Sequence, residues 1–329
     1  MRAVGLVANP ASGKDIRRLA GKASVFDNRE KLAIVRRAII GAMAAGATRF
    51  IYMRDSHGIV EQAIAETTIP RGVRFEPLPS SGTASAMDTI VAAEQMAQKD
   101  CAVVLVLGGD GTNRAFARGW RDATLVSLST GTNNVFPVMA EATVAGMALG
   151  LIAAGKVASR LVATQAKVID VDIHGEEQDI ALIDAVITRD AFIGAKALLD
   201  PSQLKEALLC RAEPAAVGIT SLGGLVRPVS DQDDFGLHLT FVKGGRALLA
   251  PMGPGMFATV EIGKTRLVKF NQSVKAQGPS VIALDGERER VIAAGQHIEM
   301  RIARRGPWVV DLAATLQRAA KQKLFLRTI

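Results

Sequence analysis

The sequence predicts an α/β chain in two parts: an N-terminal domain with a doubly wound parallel sheet, then a C-terminal antiparallel, β-rich domain, sandwich-like in pattern. Three observations predict it. Apolar strand patterns alternate with helical ones from Ala3 to Ala154, and repeated alternation builds a parallel sheet covered on both faces. After Gly155 the texture changes to short alternating runs broken by glycine, the signature of antiparallel strands. Between these, Gly108-Gly109-Asp110-Gly111-Thr112 joins the unbroken aliphatic run Val103-Val104-Leu105-Val106-Leu107 to a helix start.

Taken in order, strands are predicted over 3–8, 49–53, 73–77, 102–107 and 124–128, each a short apolar or β-branched run bounded by turn residues. Helices are predicted over 30–45, 59–67, 83–99, 112–120 and 140–154. Leu32, Val35, Ile39 and Met43 recur at helical spacing and support the first. Strands then follow over 168–173, 180–187, 216–220, 237–242, 258–262, 267–270, 281–284, 291–293 and 298–302. One helix is expected near 203–210 and an amphipathic one over 311–323. The expected division is 1–157 and 158–306.

At 329 residues the chain can bury a large core. Only 4% of residues are aromatic, which leaves little from which to build stacking platforms for nucleic acid. The net charge of +8 is dispersed and suits small anionic ligands, so neither nucleic acid nor membrane is the expected partner. Cys101 and Cys210 have no metal-ligand spacing, and a reducing cytoplasm is expected. The chain opens directly on a strand, so no cleavable leader is expected, and the apolar stretch 138–154 is interrupted by Glu141, Thr143 and glycines.

In a parallel sheet, ligands bind outside the carboxyl ends of the strands. Asn9, residues 80–83, 108–112 and 129–134 all fall there and are read as one site. A glycine-rich turn into a helix offers N–H groups and a dipole to phosphate. A carboxylate there would repel phosphate unless it holds a metal or takes a proton from a hydroxyl. Asp110 is therefore a candidate general base, against the plainer reading of a helix N-cap. Gly108, Gly109, Gly111, Thr112 and Asn113 complete the turn. Asn133 and Asn134 suit ribose or phosphate contacts; loop capping is the competing reading. Asp184 lies in an apolar run, on a polar face or at a buried ligand contact. Asp285-Gly286 is equally a hairpin turn. Thr83 reads best as a helix N-cap. Lys14 could reach a phosphate as a point charge, and Asp231, Asp233 and Asp234 read as a solvated turn.

Gly-Gly-Asp-Gly-Thr after a buried strand resembles the signature of the superfamily joining NAD kinases with diacylglycerol and sphingosine kinases. Asn9-Pro10-Ala11-Ser12-Gly13 resembles the lipid kinases' Asn-Pro-x-Ser-Gly, and Gly131-Thr132-Asn133-Asn134 their Gly-Thr-x-Asn loop. Ala181-Leu182-Ile183-Asp184-Ala185-Val186 is similar to the Ala-Leu-Asn-Glu-Val strand of NAD kinases. Asp285-Gly286-Glu287 resembles the late Asp-Gly-Glu of lipid kinases. The stretch 112–150 is most similar to acetoin-catabolism X proteins, a bacterial branch described as ATP-NAD-kinase-like. The resemblance covers nearly the whole chain.

That resemblance implies Mg2+-dependent phosphoryl transfer from ATP, or from polyphosphate, to a hydroxyl. NAD is the leading acceptor; a small hydroxyketone or polyol is the alternative, and a non-catalytic nucleotide sensor is the rival of a different class. It implies that Asp110 faces the ribose 2′-hydroxyl. Asn9, Thr132, Asn133, Asn134 and Asp184 join the turn residues in binding nucleotide, Glu287 is a second catalytic acid, and Asp285 is a metal ligand. It further implies that 307–329 returns to the first domain and that the chain forms a homo-oligomer. Ile183 stands where NAD kinases carry asparagine, and the stretch nearest their Gly-Ser-Thr-Ala-Tyr is Thr220-Ser221-Leu222-Gly223-Gly224. Both departures put the NAD contacts in question.

Overall fold

The computed structural model describes residues 2–13, 26–79, 82, 83, 85–131, 133–189 and 201–326, apart from the side chains of Arg288 and Glu289. Two compact units emerge: one runs to Gln165 and resumes at Pro307, and the other is built on Ala166–Gly306.

The first unit is a seven-stranded sheet. Its strands are β1 (Ala3–Ala8), β2 (Arg49–Tyr52), β3 (Arg74–Pro77), β4 (Cys101–Gly108), β5 (Thr124–Ser129), β6 (Ala163–Gln165) and the late β17 (Trp308–Val310). They lie in the order β3-β2-β1-β4-β5-β17-β6. Every pairing is parallel except that of β6 with β17. The chain winds outward from β1 to β3, then crosses to β4 on the other side. The crossover leaves a crevice at the carboxyl ends of β1 and β4, where open α/β sheets take their ligands.

Among the described residues, five helices follow the first five strands: α1 (Asn28–Ala45), α2 (Ile59–Ala65), α3 (Ala86–Gln98), α4 (Asp110–Gly119) and α5 (Ala142–Ala153). Period-two alternation divides the buried strand residues between two faces. Val4, Leu6 and Ala8 share a core with α1, α2 and α5. Gly5 faces the other way: a Cβ there would lie 2.8 Å from the sulfur of Met96 on α3. The sheet is therefore covered on both sides. α7 (Leu312–Lys321) contributes Ala319 to the first of these cores. α5 is apolar because its surroundings are protein; no helix among the described residues is long and apolar enough to cross a membrane.

The second unit pairs a six-stranded sheet with a four-stranded one, antiparallel throughout. The larger runs β12 (Met256–Lys269), β11 (Phe235–Gly253), β10 (Leu204–Leu209), β9 (Asp184–Thr188), β14 (Ser280–Leu284), β15 (Glu287–Ile292). The smaller runs β13 (Ser273–Gln277), β16 (His297–Ala303), β7 (Val168–Ile173), β8 (Asp179–Ala181). Residues such as Ile169, Val171, Met300, Leu208 and Ile282 share one core, which draws on strands of both sheets. A second core on the larger sheet takes Leu222 from α6 (Ile219–Val226).

Three expectations are corrected here. The helix expected near 203–210 is strand β10, because Leu204, Ala207, Leu208 and Leu209 are all fully buried across two cores, a demand that one helical stripe does not meet. The strand expected over 216–220 gives way to α6, which starts at Ile219 after Gly218 turns the chain with φ +82°. Asp184 is the first residue of β9 rather than mid-strand.

α1 and α5 approach so closely that a Cβ on Gly146 would lie 2.2 Å from the Ala38 carbonyl oxygen. Gly146→Ala should therefore destabilise the protein by about 1–3 kcal/mol, despite alanine's better helix propensity. The check is urea unfolding, with a lower midpoint at unchanged slope.

Candidate functional site

Three of the predicted loops meet at the carboxyl ends of β1, β4 and β5. The β4 turn is tightly folded. A Cβ on Gly108 would lie 2.5 Å from Cβ of Thr112. Gly109 is the N-cap of α4, and its carbonyl accepts both the backbone N–H of Asn113 (3.2 Å) and the Asn113 side-chain amide (2.9 Å). Asn113 is fully buried. Gly111 lies in the first turn of α4, directly after Asp110.

Asp110 is the first helical residue, so the N-cap reading fails. Its carboxylate instead crosses to the loop after β5. Oδ1 accepts the N–H of Phe136 at 2.8 Å and of Val135 at 3.1 Å, and Oδ2 lies 3.2 Å from the same Val135 nitrogen. That loop is closed at its base, where Ser129 N–H donates to Val138 O (2.8 Å) and Val138 N–H to Ser127 O (3.1 Å). Asn134 completes it, its amide donating to Ser129 Oγ at 2.7 Å. A Cβ on Gly109 would come within 2.9 Å of Asn134 Oδ1, so the two loops touch where glycine leaves room. Asn133 is half-buried beside it. Thr132 lies outside the described residues.

The loop after β1 joins them through Asn9, whose amide donates to Thr112 Oγ1 at 2.9 Å while its Oδ1 accepts Ala11 N–H at 2.9 Å. Gly13 adopts φ +75°, and a Cβ there would lie 2.9 Å from Thr130 O. Beneath this loop sits Lys31 of α1, fully buried, its ammonium donating to the carbonyls of Asn9, Pro10 and Ser12. Sequence reasoning missed Lys31. The available signal was a lysine in the first turn of an apolar-faced helix, where a cation opposes the dipole and needs a local reason. The fourth loop is not seen to join: Ser80, Ser81 and Lys14 fall outside the described residues. Thr83 is not the N-cap of α3; Ser85 is, and Thr83 bonds Asp88.

The remaining candidates form a separate cluster inside the second unit. Asp285 and Gly286 take φ +50° and +80° between β14 and β15, the two-residue hairpin turn that Asp-Gly favours. The Asp285 carboxylate also accepts the N–H groups of Leu182, Ile183 and Asp184 at 2.7–3.1 Å. It thus fixes the bend between β8 and β9. Asp184 is buried and Glu287 exposed. Among the described residues no three His, Cys, Asp or Glu side chains gather to hold a metal. Asp231, Asp233 and Asp234 lie in a turn held by Arg304. Burial pushes the Cys101 thiol up to about 12 and that of Cys210 higher still, so neither supplies a thiolate at neutral pH.

A crevice at the β1/β4 crossover, with a glycine turn entering a helix and a fixed aspartate, defines an NAD kinase-like fold. Comparisons with known proteins agree. Residues 4–157 match the ATP-NAD kinase N-terminal domain, and 167–305 match the acetoin catabolism protein X C-terminal domain. A yeast NADH kinase solved with NADH aligns with 100% of this chain and 89% of its own, at a TM-score of 0.55 and 12% identity, a likeness of fold. The acetoin catabolism protein X of Cupriavidus necator is 33% identical over 98% of this chain and 93% of its own. The chain belongs to the acetoin catabolism protein X family.

Asp110→Asn should release the β5 loop, because the amide offers one acceptor where the carboxylate offered two. Amide exchange at Val135 and Phe136 should quicken about tenfold or more, as expected for a lost charge-assisted bond, while β4 amides stay protected.

Proposed function

We propose that this protein is a phosphotransferase that binds ATP at the β1/β4/β5 loops and transfers its γ-phosphoryl group to a hydroxyl. The observation that supports it best is Asp110, held by two backbone N–H groups at the N-terminus of α4, with Asn9, Thr112 and Asn134 around it. The helix N-terminus and the glycine turn favour the phosphates. Asp110 takes the acceptor's proton as the oxygen attacks phosphorus, and ADP leaves with the electron pair of the broken P–O bond. Positioning and charge stabilisation carry most of such a reaction.

Magnesium fits this donor set in a limited way. It binds commonly through one or two carboxylates plus substrate phosphates, and Asp110 is the carboxylate that would hold it here. When bound it would neutralise charge on the phosphates. Asp285 is committed to three backbone N–H groups, which suits a structural part better than a metal ligand.

NAD is the leading acceptor, as the yeast relative's NADH complex suggests. A specific observation favours a second reading. Ile183 is a buried apolar residue where NAD kinases carry an asparagine amide. An unmatched polar edge on a buried ligand costs about 1–3 kcal/mol. That favours a smaller hydroxylated acceptor, such as a hydroxyketone or polyol. The deciding experiment incubates purified protein with γ-labelled ATP and Mg2+ against NAD, NADH and a polyol panel. Label on any acceptor supports the kinase; none, with intact ATP binding, supports a sensor.

Two outcomes are expected. Asp110→Asn should cost about two to four orders of magnitude in turnover, as loss of a general base does. Ile183→Asn should strengthen NAD binding if the pocket is otherwise shaped for NAD; calorimetry reads this directly. Tight NAD binding by the unaltered protein, with no gain from Ile183→Asn, would dismiss the smaller-acceptor reading.

A further inference from the structure

We infer that Lys31 is a positioning residue for the phosphate end of the ligand. It would set the Asn9–Gly13 loop so that the Gly13 N–H faces the site. The inference rests on the nucleotide reading above for its ligand, but its geometry stands alone.

Burying an ammonium is costly, and a cation in the first turn of a helix opposes the dipole. Lys31 bears both costs, being fully buried at the fourth position after its helix's N-cap, Asp27. Its bonds explain why. Nζ donates to Asn9 O at 3.0 Å, Pro10 O at 2.9 Å and Ser12 O at 2.7 Å, with Asn28 Oδ1 at 3.2 Å. Three carbonyl dipoles converging on one point repel one another unless a cation lies at their focus. The ammonium therefore selects this loop conformation over more open ones.

The trans peptide converts that choice into a donor on the opposite side. In each planar peptide unit the N–H points away from the C=O. With Ser12 O turned onto Lys31, the Gly13 N–H points the other way. The Ala11 N–H is already taken by Asn9 Oδ1. The Gly13 N–H donates to no acceptor among the described residues. Gly13 itself can hold φ +75° and pass within van der Waals reach of Thr130 only because it lacks a side chain. The result is an N–H beside the β5 loop, on the edge where the α4 N-terminus also points, suited to a phosphate oxygen.

The test uses Lys31→Met, which keeps the stem and removes the charge, with Lys31→Gln as a second variant should the first fail to fold. Exchange of the Ala11 and Ser12 amides, which donate to Asn9 Oδ1 and Asn9 O, reads the loop directly without nucleotide. It should quicken about ten- to a hundredfold, the size expected for losing bonds to a charged group, while β1 and β4 amides stay protected. Calorimetry with ATP should show affinity falling by a similar factor. On the acceptor identified above, KM for ATP should rise while kcat at saturation stays within about threefold, a split that a general loss of structure would not give. Unchanged exchange at Ala11 and Ser12 in a folded variant overturns the inference. Changed exchange with unchanged ATP affinity overturns its ligand half. Failure of the unaltered protein to bind ATP overturns the nucleotide reading and the ligand half with it, and the exchange measurement still decides the loop.

Discussion

The bond from the Asp110 carboxylate to the Val135 and Phe136 amides is the constraint on which the candidate site depends. It crosses between two loops that belong to different strands, so it exists only once β4 and β5 are paired in register. It ties the helix N-terminus, the β5 loop and the Asp110 carboxylate into one unit. The bond also orients the aspartate, as its proposed role of proton acceptor requires. Charge-assisted bonds of this kind are roughly twice as strong as neutral ones. In the proposed reaction the same side chain carries both a structural and a chemical task.

Around that bond the loops are fitted by absence as much as by contact. Gly109 leaves room for Asn134, Gly108 for Thr112 and Gly13 for Thr130. A larger residue at 109 or 13 would push one loop off another, and one at 108 would open the β4 turn itself. Lys31 works from below, with charge where the glycines work with space. A crevice assembled this way is largely preformed, so a ligand loses less free energy in ordering it.

Much of this was legible in the sequence where the pattern is local. The apolar strand runs of the first unit, the amphipathic α1 and the glycine turn after β4 each announce themselves by period or by residue type. Asp285-Gly286 spoke as a hairpin because its turn chemistry is local too. Non-local matters were harder. Asp110 looked like a cap or a base; its link to Val135 lies 25 residues away in sequence and no spacing reveals it. Lys31 was not singled out, because the loop carbonyls it serves lie 19 to 22 residues away in sequence. β10 was expected as a helix, and its pairing with β9 and β11 decides it as a strand. α6 was hidden by its glycines, and Gly223 and Gly224 are there for close packing: a Cβ on each would lie 2.3 Å from Leu209 Cδ1 and from Pro214 N respectively.

The central claim is that one nucleotide site is built from the loops after β1, β4 and β5. Hydrogen exchange of the full-length protein with and without saturating ATP and Mg2+ tests it most directly. The account predicts new protection confined to residues 11–13, 109–113 and 131–136. Saturable ATP binding with no added protection in those three segments would contradict it.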